Sequence, residues 1–173
     1  MRLIETASLT LEPQLAAHAQ EMFTVLCDPA IYLYENEPPP SVEWLRARFA
    51  RLESRQSADG QEHWLNWVIR LPASQLIGYV QATVHADGGA DVAYVLGSAY
   101  WGRGLAGQAV QAMLGELSAQ YPVRSFWAVL KRENQRSMRL LDRLGFSLAS
   151  SAGHLMRQIE PDELLMRRAD GLP

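Results

Sequence analysis

The chain has little cysteine, no long apolar run and no excess of positive charge. One cysteine, Cys27, stands among 173 residues, so no disulfide can form within the chain. A chain of this length without disulfides suits a reducing compartment. Cys27 ends the apolar run MFTVLC with no basic residue beside it, which predicts a buried, inert thiol. No stretch approaches the roughly 20 apolar residues of a membrane span. The opening MRLIETASLTLEP holds no apolar leader region, and the expected location is the cytoplasm, away from any membrane. A net charge of −3 offers no broad surface for nucleic acid. His18, His63, His85 and His154 show no i, i+4 partner and no carboxylate cluster, so no metal site is indicated.

What is present is an ordinary globular balance: 48% hydrophobic and 20% charged residues. That predicts one domain over residues 1–173 with a real core. LIETASLTLE alternates apolar and polar residues and reads as a strand. Pro13 suits the first turn of a helix over LAAHAQEMFTVLC. DPAIYLYENEPPP reads as irregular, and Ser41 can cap a second helix, VEWLRARFARLES. Three strands follow, WLNWVIR, QLIGYVQATVH and ADVAYVL, the last two joined by the turn HADGG. Next come a helix over GQAVQAMLGELSAQ, a strand VRSFWAVL and a helix ENQRSMRLLDRL that Gly145 closes. FSLAS and ELLMRR read as closing strands. The order is α+β: two helices, an antiparallel meander, then a βαβ crossover. Trp44, Trp64, Trp67 and Trp127 fall in periodic elements and read as core or interface aromatics.

Between the third meander strand and its helix lies WGRGLAG, residues 101–107. Gly102, Gly104 and Gly107 spell G-x-G-x-x-G. A helix N-terminus offers unpaired N–H groups and partial positive charge, and glycine lets a phosphate come close. Arg103 adds a full charge there. A tight turn that binds nothing is the bland alternative. A dinucleotide-binding turn is another, with Glu133 as its ribose-binding acid. Against that, GSAYW separates the strand from the first glycine, and too few βα units follow. The second motif is NQRSMRLLDRLGF, residues 134–146. Asn134 can cap the helix or offer its amide to a ligand, and Ser137 lies one turn on.

Together, VAYVLGSAYWGRGLAGQAV and LKRENQRSMRLLDRLGF resemble the GNAT acyltransferase family, and most of all its branch of ribosomal-protein N-terminal and small-amine acetyltransferases. The resemblance covers residues 92–146. It implies a mixed, largely antiparallel central sheet flanked by helices, with a splayed parallel strand pair where acetyl-CoA binds. By this resemblance Tyr94, Val95 and Leu96 pair with the acyl–pantetheine arm. Trp101, Gly102, Arg103, Gly104, Leu105, Ala106 and Gly107 form the pyrophosphate loop, with Arg103 facing the phosphates. Asn134 binds pantetheine, and Ser137 lies near the thioester sulfur. Many relatives place a tyrosine where this chain has Leu141, so Ser137 is the expected partner of the leaving thiolate.

The implied reaction is direct acetyl transfer to a primary amine, of a small molecule or a protein N-terminus. Its general base is open among Glu35, Glu37, Asp91 and His85. In relatives the connection between the first two helices lines the acceptor site, which makes Tyr32, Tyr34, Glu35 and Glu37 the expected acceptor group. Many relatives form homodimers, and the sequence leaves that open. Two rivals remain: a catalytically silent acyl-CoA-binding sensor, and a nicotinamide-dependent oxidoreductase.

Overall fold

The computed structural model describes residues 1–34 and 37–169. Its sheet has eight strands in the order β1-β2-β3-β4-β5-β6-β8-β7. These are β1 (Ile4–Glu5), β2 (Thr10–Pro13), β3 (Glu62–Arg70), β4 (Leu76–His85), β5 (Gly89–Leu96), β6 (Ser125–Lys131), β7 (Ser147–Leu148) and β8 (Glu163–Ala169). The helices are α1 (Ala19–Leu26), α2 (Val42–Leu52), α3 (Leu105–Gln120), α4 (Gln135–Arg143) and α5 (Ser151–Met156). All neighbouring strands run antiparallel except β5 and β6, which are parallel.

The N-terminal run is two short strands rather than one. Thr6 folds it back: its Oγ1 accepts from Leu9 N at 3.0 Å and donates to Leu9 O at 2.8 Å. Pro13 therefore ends β2, opposite Trp67, and does not begin a helix. A 3-10 turn over Ala16–His18 leads into α1 instead. Cys27 is exposed, against expectation. It sits at the cap just past α1, where Ala19, Met22 and Leu26 already fill the inward stripe. Trp44 is likewise exposed on α2, whereas Trp67 is fully buried. Helix α3 begins at Leu105, two residues before the start read from the sequence. After β7 the chain forms α5, so the strand expected through Ser150 is cut to two residues.

The alternation of β3 to β6 divides the sheet into two faces. One face carries Leu65, Trp67, Ile69, Val80, Ala82, Phe126 and Ala128. Helix α3 lays Leu105, Ala109, Val110, Met113, Leu114 and Leu117 on it, a stripe at helical spacing. Each large side chain in that stripe contributes about 1.5–3 kcal/mol by burial. The other face packs α1 and α2 only at one end, through Val68, Leu76 and a rim of Tyr79 and Val95. The remainder of that face is left to form a cavity.

Two local features shape the place where the faces meet. Gly78 lies against β5 so closely that a Cβ there would fall 2.0 Å from the Val95 carbonyl oxygen. Beyond it, β5 and β6 pair only at Gly89–Ser125, Ala90–Phe126 and Asp91–Trp127. From Val92 onward the two strands part. The backbone groups of β5 that would have bonded β6 face a gap.

Candidate active site

The gap between β5 and β6 joins two cavities. The first has a volume of about 660 Å³ and runs along the N-terminus of α3. Gly102 and Gly104 adopt φ of 74° and 75°, the left-handed region that glycine occupies without strain. A Cβ at Gly102, Gly104 or Gly107 would meet nothing within 4 Å, so these glycines border open space. The N–H of Gln108 donates to Gly104 O at 3.2 Å. The N–H groups of residues 105–107 precede the first intrahelical bond and are free for an anion. Trp101 anchors the loop by donating its indole N–H to Leu96 O at 2.9 Å.

Positive charge reaches this groove from α4. Arg136, Arg139 and Arg143 line it, spaced to share one helix face. Arg136 lies 4.1 Å above the Trp101 ring, tying α4 to the loop. None of the three pairs with a carboxylate among the described residues. Arg103, expected to face the phosphates, instead lies over Tyr100 at 5.8 Å and does not line the groove. The signal for the α4 arginines is local: RSMRLLDR sets Arg136, Arg139 and Arg143 at helical spacing. Glu133 is exposed and outside the groove, which leaves the dinucleotide turn without its ribose acid.

The second cavity, about 470 Å³, opens on the α2 side of the sheet. Gln14, Asn66 and Gln81 give it neutral amides, and Tyr32, Tyr34 and Tyr79 give it phenols. Glu37 is the one carboxylate and Arg48 the one cation among the described residues lining it. Gln14 is 6% exposed, and its Nε2 has no hydrogen-bond partner among the described residues. Tyr32 donates to Leu26 O at 2.7 Å, and burial pushes its phenol up to about 12. Burial also raises Tyr79. These phenols stay protonated at neutral pH and are donors, not bases. Glu35 lies outside the described residues.

Ile31, Tyr34, Tyr94, Val95, Asn134 and Ser137 line both cavities. Asn134 caps α4: its Oδ1 accepts from Ser137 N at 3.0 Å, as Ser41 caps α2 through Trp44 N at 3.1 Å. The cap uses only the amide oxygen, so the Asn134 Nδ2 group keeps its donors for a ligand. The Ser137 hydroxyl meets the Tyr94 phenol at 2.6 Å. Burial raises the Tyr94 phenol, and the Ser137 contact offsets part of that rise. Leu141 is 1% exposed, a core residue beneath this pair. The segment carrying Ala30, Ile31 and Leu33 beside the groove is pinned by Asp28, whose carboxylate accepts from Ala30 N at 3.0 Å and Ser98 N at 2.7 Å.

Asp91 and His85 are brought together, but away from both cavities. His85 sits between Glu62 at 3.1 Å and Asp91 at 2.9 Å, a pairing that local sequence spacing hid. The other Asp91 oxygen pairs with Arg157, which stacks 4.5 Å from Trp127. The carboxylate of Asp91 is thus committed to cross-sheet partners. Three residues of extended strand, roughly 10 Å, separate it from Tyr94.

Among solved structures, the fold is similar to that of RimL, described as a ribosomal L7/L12 alpha-N-protein acetyltransferase in complex with coenzyme A. That match has a TM-score of 0.80 and 19% identity, covering 97% of this chain and 98% of that one. A ribosomal-protein-S5-alanine acetyltransferase from Vibrio fischeri matches at TM-score 0.78 and 18% identity over the whole of both chains. The microcin C7 self-immunity acetyltransferase MccE, solved with acetyl-CoA and AMP, matches at 0.76 and 16%, covering 95% and 93%. No curated protein sequence matches the chain. The fold is therefore one shared with proteins described as acetyltransferases. The acetyltransferase (GNAT) domain model matches residues 8–147, and the chain belongs to the GNAT family.

Proposed function

We propose that this GNAT protein transfers the acetyl group of acetyl-CoA to the nitrogen of a small primary amine. The observation that carries the reading is the meeting of the two cavities at Tyr94, Val95, Asn134 and Ser137. A thioester lying along the α3 groove would present its carbonyl in the gap between β5 and β6. An amine in the second cavity would reach it from the opposite side. Such placement converts a bimolecular encounter into a local step.

In this reading the unpaired N–H groups at the start of α3 and the arginines of α4 hold the diphosphate and phosphate of CoA. The free edge of β5 pairs with the pantetheine amides, and the Asn134 amide adds a donor. Acetyl-CoA supplies the activated carbonyl. The amine nitrogen bonds to that carbon, the carbon–sulfur bond breaks, and the electron pair leaves on sulfur. Ser137 donates a hydrogen bond to that sulfur. Glu37, the lining carboxylate, receives the nitrogen's proton directly or through water.

Among the described residues the cavity sets one carboxylate, Glu37, against one cation, Arg48, and many neutral groups, which suits a monoamine better than a polycation. A silent acyl-CoA sensor would have no use for a second cavity of this size. A nicotinamide enzyme would call for an acid at the ribose, and Glu133 lies outside the groove.

A thermal-shift titration with acetyl-CoA, free CoA and NADH tests the first half. A ligand bound only by the native state raises the midpoint with its concentration. The expected result is stabilisation by both CoA species and none by NADH. A panel of monoamines and polyamines then tests transfer. Acetyl-CoA binding without transfer to any amine would favour the sensor.

A further inference from the structure

We propose that the Tyr94 phenol sets the direction of the Ser137 hydroxyl, so that the single proton of Ser137 points at the leaving sulfur. Tyr94 is then a positioning residue that acts through Ser137. The inference rests on the transferase reading above and adds to it a side chain from the stretch Tyr94–Leu96 of β5, which the resemblance assigned only to pairing with the pantetheine arm.

The acidities of the two hydroxyls favour one arrangement. Oη of Tyr94 and Oγ of Ser137 are 2.6 Å apart, at the short end for two hydroxyls. A serine hydroxyl has one proton and two lone pairs, and its proton rotates to suit its surroundings. By position either hydroxyl can donate, and the phenol also lies 3.5 Å from the Ser137 carbonyl oxygen; because a phenol is the stronger acid and the weaker acceptor, in the proposed pair it donates to the Ser137 hydroxyl. The proton of Ser137 is thereby excluded from the Tyr94 side. No side-chain or backbone acceptor among the described residues takes it. Both side chains line both cavities, so the open direction is the transfer point. The Ser137 backbone cannot drift, because its N–H is held by Asn134 at 3.0 Å. One turn further along α4, Leu141 offers no competing hydroxyl.

Magnitudes decide what the pair does. A cysteine thiol loses its proton near 8.5 and an ordinary phenol near 10. Burial raises Tyr94 further. Handing a proton from the phenol through Ser137 to the thiolate would therefore run uphill. The pair holds the thiolate by a hydrogen bond instead. The proton lost by nitrogen and the proton later gained by sulfur both exchange with solvent. Bonds balance without a tyrosinate: carbon–nitrogen forms, carbon–sulfur breaks, and Ser137 and Tyr94 end as they began.

The test is a double-mutant cycle of Tyr94→Phe and Ser137→Ala, read by steady-state kinetics and by acetyl-CoA thermal shift. Phenylalanine fills the same space, so a packing role for Tyr94 would survive it. The expected result is a loss of about tenfold in kcat for Tyr94→Phe, or about 1.4 kcal/mol of barrier, with KM for acetyl-CoA within about twofold. Ser137→Ala should lose at least as much. The double variant should match Ser137→Ala alone, because a residue acting through another adds nothing once that other is gone. A fully active Tyr94→Phe, or losses that multiply in the double variant, would overturn the proposal. If the unsubstituted protein binds acetyl-CoA but transfers to no amine, the transferase reading itself has failed, and the pair loses its role with it.

Discussion

The two cavities that meet at β5 are built by different means. The α3 groove takes its character from the backbone: left-handed glycines, unpaired N–H groups and the bare edge of a parted strand. The α2-side cavity takes its character from side chains supplied by β2's end, α2, β3, β4 and β5. A backbone site suits a ligand whose phosphates never vary. A side-chain site can be reshaped one residue at a time, so it suits the partner that distinguishes one relative from another. Among the described residues, Ile31, Tyr34, Tyr94, Val95, Asn134 and Ser137 belong to both.

The sharpest way to break this division is Gly78→Ala. Its Cβ would fall 2.0 Å from the Val95 carbonyl oxygen, a backbone atom that cannot swing away. Val95 lines both cavities, so both should fail together. The expected cost is about 3 kcal/mol of stability, read as a lowered thermal midpoint with loss of acetyl-CoA binding. A variant of normal stability that keeps one site and loses the other would show that β5 is not their common wall.

Gly107→Ala should separate stability from binding on the groove side. Gly107 lies within the first turn of α3 and has ordinary helical geometry, with nothing within 4 Å of an added Cβ. Alanine should stabilise the fold by about 0.5 kcal/mol through reduced freedom of the unfolded chain. It should also place a methyl group where a diphosphate must approach, raising KM for acetyl-CoA about tenfold by that crowding. The amine KM should stay constant. Stability and acetyl-CoA affinity rising together would remove Gly107 from the groove.

Gln14→Leu makes the matching cut on the other side, with a smaller effect. It removes a buried amide whose Nε2 has no partner among the described residues. Stability should hold or rise by about 1 kcal/mol, since an unsatisfied buried polar group is costly. The amine KM should rise severalfold while acetyl-CoA binding stays unchanged. An unaltered amine KM would mean that the acceptor does not reach the floor of this cavity.

Legibility in the sequence followed the same division. The glycine loop, the Asn134 and Ser41 caps and the Gly145 terminus are local patterns, and each could be read from a few adjacent residues. The α2-side cavity could not. Gln14, Asn66 and Gln81 lie far apart in the chain and converge only because β2, β3 and β4 are neighbours. His85 looked isolated because its carboxylates arrive from β3 and β5. Asp91 looked available as a base because Arg157, its partner, comes from just past α5. Cys27 looked buried because the apolar run around it is real, yet one step past Leu26 turns the side chain outward.

The sequence by itself determined where strands alternate, which residues cap α2 and α4, and where glycines open the start of α3. Those depend on contacts within a turn or two, which chain order fixes. Tertiary structure alone decided that β5 and β6 part after Asp91, that a phenol on β5 meets a serine on α4, and that Arg136 lines the groove against Trp101 while Arg103 turns to Tyr100. Those depend on which distant segments the sheet order makes adjacent, and no local pattern carries that information.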